Sequence, residues 1–142
     1  MTAAHDCIFC KIINGDIPSF KVFEDDKTIA FMDINPVNPG HILVVPKAHA
    51  SNIFEIAPDD WAACMVNAQK VAKAVQQVLA PDGINIMQAN GTGAGQSVFH
   101  VHVHVMPRQS GDDLKMNREY IPGDMEEIAQ LAEKITTALL EQ

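Results

Sequence analysis

Three histidines alternate with valines across Phe99-His100-Val101-His102-Val103-His104-Val105-Met106. In a β-strand successive side chains point to opposite faces, so His100, His102 and His104 share one face and Val101, Val103 and Val105 the other. The valine face is what a core requires. The histidine stripe serves no packing purpose, whereas imidazole near neutral pH can be a nucleophile, a general acid or base, or a metal ligand. Directly upstream lies Asn90-Gly91-Thr92-Gly93-Ala94-Gly95-Gln96-Ser97. A loop this rich in glycine lets the backbone approach a ligand closely and can aim its N–H groups at an anion. A loop able to hold phosphate, followed by a row of imidazoles, suggests phosphate-ester or phosphoramidate chemistry. A pH sensor or an adventitious metal site would draw on the same histidines, and a glycine turn alone also suits a plain hairpin.

Cys7-Ile8-Phe9-Cys10 is a second constellation. Its spacing suits a redox pair, half a zinc site or two buried thiols. The redox reading expects a helix N-terminus after a strand, and this pair sits near the chain start without that context. A zinc site needs two more ligands. Cys64 falls inside a helical pattern and reads as core. Thiols without a disulfide framework point to a reducing compartment.

Composition bounds the class. A chain of 142 residues, 47% of them apolar, suits one soluble domain spanning residues 1–142. No segment approaches about 18 uninterrupted apolar residues, so no membrane helix is expected. Met1-Thr2-Ala3-Ala4-His5-Asp6 lacks the basic stretch and apolar run of a secretion signal, and a cytoplasmic location is expected. The net charge of −8 argues against nucleic acid as a partner. Any phosphate must be held by local amides, hydroxyls and imidazoles.

The elements that must position these groups read as a mixed α and antiparallel β domain. Residues 22–32 suggest a hairpin turning at Asp25-Asp26, and residues 41–46 a strand ended by Pro46. Pro58 at a first helical position, with Asp59 and Asp60 complementing the dipole, starts a helix of about 20 residues. Its expected buried stripe is Trp61, Met65, Ala68, Ala72, Val75 and Leu79, and Pro81-Asp82-Gly83 ends it. Residues 84–89 read as a strand, followed by the glycine loop and the histidine strand. A last helix starts at Asp124, with Glu127 completing a capping box and Ile128, Leu131, Ala132, Ile135 and Leu139 as its stripe. Residues 108–123 read as a surface loop.

Taken in order, these motifs resemble the histidine-triad (HIT) superfamily, and within it the bacterial Hint branch. The resemblance rests on His-φ-His-φ-His-φ-φ after Ala94-Gly95-Gln96-Ser97-Val98. It continues back through Phe31-Met32-Asp33-Ile34-Asn35-Pro36, Pro39-Gly40-His41-Ile42-Leu43-Val44-Val45-Pro46-Lys47 and Cys7-Ile8-Phe9-Cys10-Lys11-Ile12-Ile13, covering about residues 7–108. It implies an α+β HIT-like fold: an antiparallel meander-type sheet with one long helix and a C-terminal helix. It implies that His102 attacks the α-phosphorus of a nucleotide, giving a nucleotidyl-imidazole that water hydrolyses, with His104, Gln96 and Ser97 completing the catalytic set. It implies a nucleotide site of Phe9, Asp33, Ile34, His41, Asn90, Gly95, Gln96, Ser97, His102 and His104. In that site Asp33 takes the ribose hydroxyls, and Phe9 and Ile34 wall the purine. One position departs from the family: the amide expected seven residues before Gln96 is Ala89, which leaves Asn90 as the candidate phosphate contact. Relatives carrying the Cys-x-x-Cys complete a structural zinc site with two histidines, which here implies Cys7, Cys10, His49 and His100.

The activity implied is hydrolysis of nucleoside 5′-phosphoramidates of the AMP-amine type. Alternatives are a dinucleoside polyphosphate hydrolase, a nucleotidyl transferase, a non-enzymatic nucleotide-binding adaptor, or a zinc-stabilised interaction module. A C₂ homodimer is expected, since related proteins join sheets across subunits and Val66, Val71 and Val78 lie off the long helix's expected stripe.

Overall fold

The structure, a computed structural model, describes residues 6–112 and 121–141. The chain forms two compact units, the first ending at Asp112. In the first unit the order is α1 (Ile8–Ile13), β1 (Lys21–Glu24), β2 (Thr28–Met32), β3 (Ile42–Pro46), α2 (Pro58–Leu79), β4 (Gly83–Met87) and β5 (Val103–Arg108). The second unit holds α3 (Met125–Leu140), and Asp124 Oδ1 accepts from the N–H groups of Glu126 and Glu127 as an N-cap. The side chain of Leu139 and residues 113–120, expected in the last helix and the loop before it, lie outside the described residues. No helix among the described residues is long and apolar enough to cross a membrane.

The fold is the expected α+β class. Five strands form one antiparallel sheet in the order β1-β2-β3-β5-β4. β1 to β3 run as a meander, started by a turn in which Asp25 Oδ1 accepts from the N–H groups of Lys27 and Thr28. β5 then takes the place beside β3, and the α2 crossover carries β4 to the far edge. β2 and β3 are buried on both faces. On one face Ala30, Ile42, Val44, Val103 and Val105 pack against Cys64, Ala68, Val71 and Val75 of α2. On the other, Ile29, Phe31, Leu43 and Val45 pack against Cys7 and Phe9.

Three readings from sequence need correction. The helix α2 has the expected bounds, but its buried side is Cys64, Asn67, Ala68, Val71 and Val75, while Met65 and Leu79 are exposed. Apolar residues cover a broad arc of this helix, opposite Gln69, Lys70, Lys73, Gln76 and Gln77, so their period alone left open which part of that arc is buried. The histidine strand begins only at Val103; His100 and His102 lie in the irregular segment before it, where the Val101 N–H bonds the Ala50 carbonyl. Cys7-x-x-Cys10 does open a helix: Cys7 is the N-cap of α1, its sulfur accepting from the Cys10 N–H at 3.3 Å. Six residues containing three isoleucines carry little helical signal; this helix depends on packing beneath the sheet.

Candidate active site and metal centre

A cleft of about 390 Å³ opens between α1, the end of β2 and the start of β5, on the sheet face opposite α2. Phe9, Asp33, Ile34, Ser97, His102 and His104 line it, with Ile8, Ile12 and Phe31 adding apolar wall. No lysine or arginine lines it among the described residues. An anion there must therefore be met by N–H and O–H donors. A second groove, about 450 Å³ between α2 and β1–β3, is apolar apart from Lys70 and holds none of the candidate residues.

Backbone groups decide which nitrogen each imidazole protonates. His102 Nδ1 lies 2.7 Å from the His100 carbonyl, which can only accept. Nδ1 therefore carries the proton, and Nε2 of the neutral ring keeps its lone pair. His41, 2% exposed, accepts the Val37 N–H at its Nδ1 at 3.0 Å. Its Nε2 must then bear hydrogen, which it donates to His104 Nδ1 at 2.9 Å. That leaves His104 with an N–H at Nε2. The cleft thus receives a lone pair from His102 and a donor from His104. The two rings are 4.9 Å apart, centroid to centroid. Burial lowers the pKa of His102 and of His41. Burial, with His102 and His41 close by, brings His104 down to about 4. These shifts favour the neutral rings at neutral pH.

Asp33, His41 and His104 hold ligand atoms within 4.8 Å of one another, His41 Nε2 being hydrogen-bonded to His104 and 3.5 Å from Asp33 Oδ2, but the trio does not suit a metal. Metal-binding histidine donates with its second nitrogen. His41 Nδ1 already accepts from a backbone amide, so a metal on Nε2 would demand an imidazolate.

The other cluster passes the same test. His100, fully buried, donates from Nε2 to the Pro46 carbonyl at 2.7 Å, which leaves Nδ1 as a lone pair. That nitrogen lies 3.3 Å from Cys7 Sγ, 3.5 Å from Cys10 Sγ and 3.2 Å from His49 Nδ1, with Cys10 Sγ 3.4 Å from His49 Nδ1. Tetrahedral zinc bonds of about 2.3 Å to sulfur and about 2.0 Å to nitrogen place nitrogen–nitrogen and nitrogen–sulfur donor pairs roughly 3.3–3.5 Å apart. Two thiols, two imidazoles and a second-sphere carbonyl thus fit a closed zinc site. Burial and the neighbouring Cys7 push the metal-free Cys10 thiol up to about 11, a cost that a bound cation removes.

The glycine loop behaves differently from expectation. A 3₁₀ turn at Thr92–Ala94 ends in Gly95 at φ +90°, a conformation that favours glycine. Gln96, 3% exposed, turns inward: Oε1 accepts from the Gly91 N–H at 2.8 Å, while Nε2 donates to the carbonyls of Ser51 at 2.6 Å and Val98 at 3.0 Å. Asn90 accepts from the Ile53 N–H and exchanges two hydrogen bonds with Gln88. Neither these two side chains nor Gly95 lines the cleft; Ser97 does. His41 stands behind His104 rather than at the surface. Sequence reasoning missed Val37 and Pro46, whose contributions are main-chain atoms that no side-chain motif can reveal.

Fold and site together define a cleft beside a pair of hydrogen-bonded histidines on an antiparallel α+β sheet. The model of the HIT domain matches residues 14–111, and the chain belongs to the HIT family. "Protein hit" of Bacillus subtilis (strain 168) is 48% identical over 114 residues, 80% of this chain and 78% of the relative. Adenosine 5′-monophosphoramidase hnt1 of Schizosaccharomyces pombe is 39% identical over 134 residues, 94% of this chain and 98% of the relative. The crystal structure of a Zn-bound histidine triad family protein from Mycobacterium smegmatis superposes with a TM-score of 0.74 at 35% identity, covering 98% of this chain and 99% of that one.

Proposed function

We propose that this chain hydrolyses purine nucleoside 5′-phosphoramidates through a nucleotidyl-His102 intermediate. The observation that carries the reading is the hydrogen bond from His102 Nδ1 to the His100 carbonyl, which leaves Nε2 as a neutral nucleophile in the cleft. Nε2 attacks the α-phosphorus, the P–N bond breaks, and the departing nitrogen takes a proton from solvent as the amine leaves. Water then attacks the phosphorus and gives a proton back to solvent as the P–imidazole bond breaks and the nucleoside monophosphate departs. One difficult displacement becomes two easier ones. The His104 N–H at Nε2 and Ser97 donate to the phosphoryl group. Asp33 accepts from the ribose hydroxyls with Oδ2, its Oδ1 being taken by the Asn35 N–H at 2.8 Å. Phe9 and the exposed Ile34 enclose the base. Gln96 acts by holding the loop. The name of the S. pombe relative supports the substrate class.

Cys7, Cys10, His49 and His100 would hold one structural Zn²⁺, a reading supported by the zinc-bound M. smegmatis relative. The ion ties α1 to the segments carrying His49 and His100, and four protein ligands leave no open position for chemistry. We also propose a C₂ homodimer that covers the exposed Ile86 and Met87 of the edge strand β4. Sedimentation as a monomer at micromolar concentration would refute it.

The deciding experiment is turnover of a fluorogenic AMP-amine conjugate, run beside a panel of dinucleoside polyphosphates. Release of amine and AMP is expected. Tight AMP binding without turnover would make the chain an adaptor instead, and faster cleavage of the polyphosphates would move the reaction to that class.

A further inference from the structure

The helix α1 belongs to both sites. Two proposed zinc ligands, Cys7 and Cys10, bracket its first turn, while Ile8, Phe9 and Ile12 of the same helix wall the cleft. At six residues it is far below the length that holds a helix by itself, so its position depends on what it is attached to. Phe9 lies between the two cysteines and is 6% exposed. Its ring meets His102 edge-to-face, with centroids 5.0 Å apart and planes at 87°. It also meets His100 at 6.0 Å and Phe31 at 5.5 Å. One aromatic ring thus touches the proposed nucleophile and a proposed metal ligand while forming part of the cleft wall. Edge-to-face contacts of this kind are directional. A shift of α1 therefore changes the orientation His102 can hold as well as the shape of the wall.

We propose that α1 couples the Cys/His cluster to the nucleotide cleft, so that zinc and nucleotide each tighten the binding of the other, and that Phe9 is a positioning residue for His102. This rests on the nucleotide and zinc readings above. A metal on the four donors ties the first turn of α1 to His49 and His100, which presents Ile8, Phe9 and Ile12 to the cleft in one place. A nucleotide packed against those side chains holds the same turn in return. The coupling must then appear equally from either side.

The test uses the intact zinc-loaded protein. Its zinc content and its AMP affinity are measured first, and transfer of zinc to a chromogenic chelator is then timed with and without saturating AMP. Coupling of ordinary size should slow transfer by about tenfold. No folded metal-free state is needed. Phe9→Leu keeps an apolar wall but removes the ring. It should lower kcat by roughly tenfold with a smaller change in KM and unaltered zinc content, and should shrink the AMP effect on transfer. If zinc and AMP both bind but transfer ignores AMP, the coupling is wrong and both site readings stand. If AMP does not bind, the nucleotide reading and the coupling fall together; absence of zinc removes the metal reading and the coupling. If Phe9→Leu changes only KM, Phe9 is wall and not a positioning residue.

Discussion

Gln96 separates two views of the glycine loop, and Gln96→Glu tests them. The side chain is buried and fully engaged: one acceptor contact to the Gly91 N–H at 2.8 Å and two donor contacts, to the carbonyls of Ser51 at 2.6 Å and Val98 at 3.0 Å. Only one amide orientation satisfies all three. Glutamate has the same shape and keeps the acceptor, but replaces the NH₂ with an oxygen facing two carbonyls. Protonated, it can donate to one of them; ionised, to neither. A buried polar group left unpaired costs about 1–3 kcal/mol, so two carbonyls cost roughly 2–6 kcal/mol before the burial of charge is counted. Against a total stability of about 5–15 kcal/mol this is large. It also carries a sign. The carboxyl introduced by Gln96→Glu would be buried and its pKa raised, so the deficit relative to wild type should be smallest below about pH 4.3, the ordinary glutamate value, and grow as pH rises through the folded-state value. Urea unfolding of variant and wild type, paired at each pH, reads this directly. A variant with wild-type midpoints that has nonetheless lost activity would refute the reasoning and put Gln96 in contact with substrate.

His102→Ala should abolish turnover while AMP binding and the unfolding midpoint stay close to wild type, because the cleft loses its attacking atom but few contacts; near-normal turnover would end the covalent mechanism. His104, brought down to about 4 by burial and its histidine neighbours, resists protonation that the unfolded chain accepts from about pH 6.5 downward. Stability should therefore be fully present above about pH 6.5 and decline as pH falls toward 4, and thermal midpoints flat across that window would contradict the assignment. Asn67→Ala serves as a control on the opposite sheet face: it removes bonds to Thr28 Oγ1 at 2.6 Å and Asp25 Oδ2 at 3.0 Å. It should cost about 1–3 kcal/mol in urea unfolding with kcat unchanged, and a fall in kcat would show that the α2 face communicates with the cleft.

Much of this protein was legible in its residues. Pro58 and the Pro81-Asp82-Gly83 stop bounded α2 because capping and chain-breaking chemistry are local. Asp124 marked the start of α3 for the same reason. The alternation of valine and histidine did sort Val103 and Val105 toward α2 and His104 to the other face, and the tetrad Cys7, Cys10, His49 and His100 did come together. The limits are equally physical. The rotation of α2 was hidden because its apolar arc is broad, and only the sheet laid against it selects which part is buried. The helix α1 was hidden because six isoleucine-rich residues fold only where a core receives them. Tertiary structure also turned Gln96 and Asn90 away from the cleft: three main-chain groups take Gln96, and the Ile53 N–H and the Gln88 side chain take Asn90. The division of labour among the histidines was decided there too. The Val37 amide, the His100 carbonyl and the Pro46 carbonyl assign the proton on His41, His102 and His100. Every residue in a chain carries those same backbone groups, so a sequence can supply the imidazoles, but only the fold can say which nitrogen of each is free.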